Sequence, residues 1–547
     1  MMKKLFLKII TLSLAAVFAA AGFAGCKNKN KPDDTWGEPI DPDKTQLYIG
    51  NYYGGFGDEW LRAFKAEYET ENPNIQIMIR NDKASYLRDE LPAKMPSARE
   101  NMYFVDNVFY RDMVSEKLLA DITDTVTGPL TKYGESGSIE DKLGEWNKQY
   151  YKVDNKYYAL PTYISQFGGM VYDVDLFYSK RLYFKEGSTA VNPLFITGVS
   201  DKKTAGPDGV GNTGDDGLPV TLTDFDNLLK RMRIAGVTPF TWTGKYNEYS
   251  TGAVTSAWAN AEGYDNFKLN YTLTGSYKFE GDALPTQITR QNAYLLQKQS
   301  GKKHALDFAK TILGNSSNYS GSAMTTIQSH LDAQEEFLYS VMTNQRIAML
   351  FEGDWWENEA KPVFADMAAV DSEYAFGTRR FAYMPFPKPD SATSARNTIL
   401  STVKGAFFIN ANISDSPSQL ALAKDFLQFC HKESSLRKFN QMTGSVKPYT
   451  YALSEEEYNS LSHFGKSVYD MYKSDNVDIV YDLPLNDLIL QNNRIFVDFN
   501  WTSNVSGVLH WYPIVSLSNN TSLTAQAYYD GLYTYWDNMW TTRGWKN

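Results

Sequence analysis

From residue 46 onward, apolar positions fall into two spacings that take turns along the chain. Gln46–Ile49 reads as a short strand and Tyr52–Gly57 as a loop. Trp60, Leu61, Phe64 and Tyr68 then recur at helical spacing, and Asn72-Pro73 stops that helix. Ile75, Ile77 and Ile79 alternate with polar or flexible residues, the two-residue period of a strand. Strand, helix, strand with so short a crossover is a βαβ unit of a mostly parallel sheet. The grammar returns further on. Gly169–Tyr172 predicts a strand, and Thr223–Ala235 a helix with Thr223 as its cap. Arg346–Phe351 and Lys404–Ile409 predict buried strands, and Ser416-Pro417 opens a helix predicted to run to about Met442. The chain carries no repeat of about 20–50 residues. The fold class these elements predict is α/β.

The N-terminus follows a different logic. Lys3, Lys4 and Lys8 precede an apolar run from Ile9 to about Ala21; Ala24-Gly25 and Cys26 follow, then a polar stretch. Basic start, apolar run and small-residue cut are the parts of a secretory signal. The run is short for a membrane span, which needs about 20 residues. With a cysteine at the cut it resembles a bacterial lipobox, although Phe23 stands where leucine is more usual. That resemblance implies a signal over residues 1–25, lipidation of Cys26, and a flexible, lipid-anchored stalk over 26–44. The expected location is the outer face of the cell membrane.

The remaining chain of about 520 residues exceeds what one core serves, so two lobes are expected. Aromatic residues make up 14%, including 37 Tyr and 12 Trp, in a chain of mean hydropathy −0.43. So many amphipathic rings in a polar chain suggest that some grip something at a surface. A net charge of −10 argues against a nucleic-acid partner, and against membrane contact beyond the lipid itself. With Cys26 committed, Cys430 has no disulfide partner and reads as a buried small hydrophobe. Five scattered histidines and no CxxC leave no transition-metal site to propose.

Four local patterns occur in order: the opening loop from Tyr52 to Trp60; the run from Asp154 to Pro161 leading into Gln166–Phe177; Ile347–Trp355, a strand running into Gly-x-Trp; and Thr443–Pro448. Together they resemble the extracellular solute-binding proteins of carbohydrate ABC transporters, the group that includes maltose-binding protein. Asp173 stands where that family more often has Asn. The resemblance implies a two-lobed, periplasmic-binding-protein-like fold with the ligand cleft between lobes joined by hinge segments. It places lobe one at 45–157 and 386–446, and lobe two at 158–385 and 447–547. It also implies a monomer that captures an oligosaccharide and delivers it to a permease, without cofactor.

Sugars call for aromatic platforms under their C–H faces and planar polar groups for their hydroxyls. By motif, Trp355 matches a family stacking position with Asp354 beside it, and Gln166 a polar one; Trp356 is expected to face the core. Asp106 and Asn107 end a buried strand, where open α/β sheets place ligands, or one of them only caps the next helix. Tyr52, Tyr53, Tyr163, Trp242 and Trp501 are further stacking candidates, each equally readable as packing. Trp536, Trp540 and Trp545 read as packing of a final helix. An inserted Gly/Asp-rich loop over 206–217 could offer Asp208, Asp215 and Asp216 to a structural calcium, or be an acidic turn; its spacing is not that of an EF-hand. Two other classes stay open: a peptide-binding or sensor lipoprotein of the same fold, and a glycoside hydrolase. The hydrolase would need two carboxyls about 5–9.5 Å apart, and no local motif singles out a pair.

Overall fold

The computed structural model describes residues 36–163, 167–392, 394–401, 405–496 and 499–546. Cys26, the signal and most of the expected stalk therefore lie outside the described residues, as does Gln166. Lobe one opens with β1 (Thr45–Tyr52), α1 (Glu59–Glu71), β2 (Ile75–Asp82), β3 (Met102–Val105) and β4 (Leu160–Pro161). The four apolar residues that predict α1 are its buried residues. Each such side chain, fully buried, contributes about 1.5–3 kcal/mol. Lobe two brings β5 (Met170–Asp173), α2 (Leu222–Ile234), β6 (Val237–Thr241), α3 (Asn247–Glu262), α4 (His330–Tyr339), β7 (Arg346–Leu350) and β8 (Phe381–Met384). After β9 (Asn397–Ser401) come β10 (Ala406–Ile409), α5 (Pro417–His431), α6 (Glu433–Thr443), α7 (His463–Lys473), β11 (Val477–Tyr481) and α8 (Ala525–Thr542).

The lobe-one sheet has the order β2-β1-β3-β10-β4, parallel across its first three strands and antiparallel at β10 and β4. Register pairs Leu47 with Ile77 and Ile49 with Ile79, so the predicted alternation builds one core face. The lobe-two sheet runs β8-β5-β7-β6. Separate cores fill the lobes, one on Leu47, Phe64 and Phe407, the other on Phe225, Trp258 and Phe351. A further aromatic cluster joins Phe496 and Phe499 to Trp536, Trp540 and Trp545, so the final helix packs as expected. Among the described residues no helix is long and apolar enough to cross a membrane.

Several boundaries move. The helix predicted from Thr223 is capped by Thr221, whose hydroxyl and Asp224 form a capping box, because the serine/threonine with an acid three residues on satisfies two free N–H groups at once. The helix predicted from Ser416 to Met442 breaks at Lys432, whose ψ of 148° is extended. Residues 36–44 are not free stalk. Trp36 packs on Tyr48 with ring centroids 4.8 Å apart, and Asp41 N donates to Gln76 Oε1 at 2.8 Å.

The lobe boundaries also shift. β4 still belongs to lobe one, so the first crossing follows residue 161 rather than 157. Phe386 packs in the lobe-two core and Lys388 bridges to Thr221, so the return to lobe one comes after Ser401, not at 386. Tyr449 and Tyr451 remain in the lobe-one core past the expected boundary at 447. β9 and β11 form a two-stranded parallel pair outside both main sheets, and each strand leads directly to contacts with lobe one. Asp173 has a structural explanation. One carboxylate oxygen caps the following helix through Leu176 N, and the other accepts from Arg379 (2.6 Å) and Arg346 (3.0 Å), a role that an asparagine amide lacks the charge to fill.

Candidate functional site

The ends of β1 and β3, the β7–Trp355 turn and the start of α3 meet between the lobes. Trp355 stands at their centre. Its ring meets Phe56 of lobe one at 6.4 Å, and Phe167 and Tyr249 of lobe two at 6.1 Å each. The approach is close enough to require glycine. A Cβ on Gly55 would sit 2.2 Å from Trp355 Cδ1. Asn358 Nδ2 donates across to Gly55 O at 2.9 Å.

On the lobe-one side, Phe56 packs on Tyr163 at 4.4 Å, and the Tyr163 hydroxyl bonds Asp106. Burial raises the Asp106 carboxyl above the usual carboxylate range, against the Tyr163 bond and the charge of Lys83. Burial, with Asp106 and Glu359 nearby, pushes the Tyr52 hydroxyl up to about 12. A cavity of about 30 Å³ lies among Tyr52, Phe56, Trp60, Tyr163 and Lys447, room for roughly two waters. Buried Lys447 donates to Thr162 O at 2.8 Å and covers the Phe439 ring at 4.2 Å. Burial pushes its ammonium down to about 7.

On the lobe-two side a polar chain continues from the aromatic cluster. Tyr249 stacks on His330 at 5.7 Å, and His330 Nε2 lies 3.4 Å from Glu359. Gln334 Nε2 donates to both Glu359 (2.8 Å) and Glu352 (3.1 Å). Burial, then the Glu359 charge, raises Glu352 well above its ordinary value. Asp354 accepts from the Ser445 hydroxyl through one oxygen and has no partner on the other. Burial pushes Asp354, and Glu357 three residues further on, up to about 7. These groups are carboxyls and an amide beside ring faces, planar polar groups of the kind that pair with hydroxyls.

The sequence candidates divide. Trp355, Asp354, Tyr52, Tyr163 and Asp106 come together here. Asn107 is exposed with φ +49°, turning the chain beside the site, and Tyr53 is exposed on the lobe-one loop. Trp242 and Trp501 are corrected to core. Trp242 packs on Tyr319 and Phe351, while Trp501 packs on Trp258 and donates to Thr255 Oγ1 at 2.8 Å. Trp356 faces the core among Phe337, Phe381 and Phe464. In the 206–217 loop, Asp208 N and the Thr213 hydroxyl donate to Asp215, and Asn212 N to Asp216, so the carboxylates hold the turn themselves. Among the described residues no group of three or more His, Cys, Asp or Glu is placed to hold a metal ion. Sequence reasoning missed Phe56, Phe167, Tyr249, His330 and Glu359. The first two lie inside the quoted motifs; the others sit on helices whose pattern does not mark them.

A family model for bacterial extracellular solute-binding proteins matches residues 63–466. No curated protein matches the chain. Among solved structures, the raffinose complex of the solute-binding protein RafE aligns over 91% of this chain and all of its own, at 13% identity and a TM-score of 0.54. A protein described for xylan utilization by the thermophilic bacterium Caldanaerobius polysaccharolyticus aligns over 90% of this chain and all of its own, at 13% identity and 0.55. An ABC-transporter binding protein from Bifidobacterium animalis subsp. lactis, in complex with mannobiose, covers 95% of this chain and 99% of its own at 15% identity and 0.52. At these identities the likeness is one of fold.

Proposed function

We propose, for a chain that belongs to the bacterial extracellular solute-binding protein family, that it captures an oligosaccharide between its lobes and delivers it to an ABC permease. The observation that carries this reading is Trp355, held by rings from both lobes and bordered by acids and amides suited to hydroxyls. In the arrangement described the space beside it is too small for a sugar ring, so entry requires the lobes to part about the β9–β11 pair. Parting uncovers Trp355, Tyr52 and Tyr163 together. Closure over a sugar then restores the ring contacts with ligand between them. The raffinose and mannobiose complexes of proteins with this fold support a carbohydrate over a peptide.

The family and its solved neighbours are binding proteins, and the reading places no catalytic step in the cleft. Cys26 carries the anchor in this account and the segment up to Trp36 is its leash, with the protein working as a monomer outside the cell. Tryptophan fluorescence followed during titration with raffinose, manno-, xylo- and chito-oligosaccharides, and then with short peptides, tests the proposal. A saturating response to at least one sugar is expected. A response to peptides alone, or release of shortened sugars, contradicts it.

A further inference from the structure

Lobe two contains a second and larger cavity, of about 510 Å³, that the cleft does not use. It is bounded by Tyr383 of β8, by Asn397 and Thr398 of β9, by Ser256 and Asn260 of α3 and by α7. The 206–217 loop closes one side through Asp215 and exposed Gly214. The Phe167 ring both lines this cavity and contacts Trp355. The volume is in the range that holds small ligands, about 300–1,000 Å³.

The lining chemistry narrows the ligand. Asn397 is 6% exposed, and its Oδ1 has no hydrogen-bond partner, an acceptor that a ligand hydroxyl would satisfy. Asn476 adds a second amide, and Phe167, Tyr383 and Phe386 supply ring surface. The carboxylates are already engaged. Asp215 accepts from the Thr213 hydroxyl and Asp208 N, Asp208 from Val210 N at 2.7 Å, and Asp470 from the Tyr458 hydroxyl at 2.8 Å with Lys466 nearby. His463 Nδ1 bonds Phe381 O at 2.8 Å. What remains favours a neutral, hydroxylated ring over a cation.

We propose that this cavity is a second carbohydrate site, taking a neutral monosaccharide-sized polyol with a hydroxyl donating to Asn397 Oδ1. An occupant would touch both strands of the β9–β11 pair, through Asn397 and Thr398 on one and Val477 on the other. The site stands apart from the cleft reading and does not depend on it.

Calorimetric titration of the full chain carrying Trp355→Ala, with glucose, galactose, mannose and xylose in turn and with putrescine as the cationic probe, tests the proposal. At least one sugar is expected to bind at one site per chain. Adding Asn397→Leu, which removes the acceptor, is expected to weaken that sugar tenfold or more. So is Gly214→Trp, at an exposed rim position where an added Cβ would meet nothing within 4 Å, provided thermal melting shows the variant folded. Binding of no sugar, sugar binding that survives both substitutions, or binding of putrescine instead overturns the proposal. Failure of the cleft reading has a different signature: Trp355→Ala would then bind oligosaccharide like the unaltered chain, while Asn397→Leu still reports on the cavity.

Discussion

Trp355 and the tryptophans of the lobe-two core are nearly alike in burial, 9% exposed against 2% for Trp242 and 3% for Trp501. Their neighbours differ. Trp242 and Trp501 touch only lobe-two rings, whereas Trp355 is held by Phe56 from one lobe and by Phe167 and Tyr249 from the other. A ring enclosed by one lobe stays enclosed however the hinge moves. A ring enclosed by two is uncovered when they part. Burial alone therefore does not separate a binding surface from a core; the origin of the covering groups does.

The comparison breaks most visibly under truncation of the core rings. Trp501→Ala is expected to cost about 3–5 kcal/mol of stability by denaturant unfolding, the range for large-to-small core changes, with ligand affinity of the folded fraction unchanged. A loss of affinity at unchanged stability would place Trp501 in the site. Polar neighbours of Trp355 should act in the opposite sense. Tyr163→Phe, which removes the hydroxyl bonded to Asp106, is expected to weaken sugar binding several-fold while costing about 1–3 kcal/mol of stability, less than Trp501→Ala. Calorimetry beside thermal melting separates the two.

Titration sharpens the contrast further. Asp354 and Glu357 are pushed up to about 7, so between about pH 4 and 7 the folded state holds protons that the unfolded chain has released. Their contribution is present below the unfolded value and is lost as pH rises through about 7. Lys447, pushed down to about 7 from 10.5, has lost in the folded state a proton the unfolded chain keeps, so it makes stability rise with pH from about 7 to 10.5. The melting temperature of Asp354→Asn is expected to fall less steeply between pH 4 and 7, and that of Lys447→Met to rise less steeply above 7. Unaltered profiles would remove these groups from the account. The smallest effect is expected at the 206–217 loop, whose carboxylates already accept hydrogen bonds from the turn: chelation of divalent ions should shift melting by less than about 1 °C, and a larger fall would place a bound ion there.

Much of the fold was legible because its period is local. The four apolar residues of α1 and the alternating isoleucines of β2 specify their elements within a dozen residues. The lobe boundaries were less legible, since whether Phe386 packs with one core or the other depends on partners such as Phe308, far away in sequence. The candidate site was half legible. Trp355, Asp354, Tyr52, Tyr163 and Asp106 follow from motifs or strand ends, but Tyr249 and His330 reach the cluster only because α3 and α4 converge on it. Trp242 and Trp501 stay open between stacking and packing in the sequence, because a Trp has the same sequence signature whether it faces a cleft or a core; the structure packs both in the core.

Calorimetric titration of Trp355→Ala with the oligosaccharide that the unaltered protein binds best tests the central claim most directly. The account predicts at least a tenfold loss of affinity with secondary structure retained. An unchanged affinity in a folded Trp355→Ala protein would contradict it.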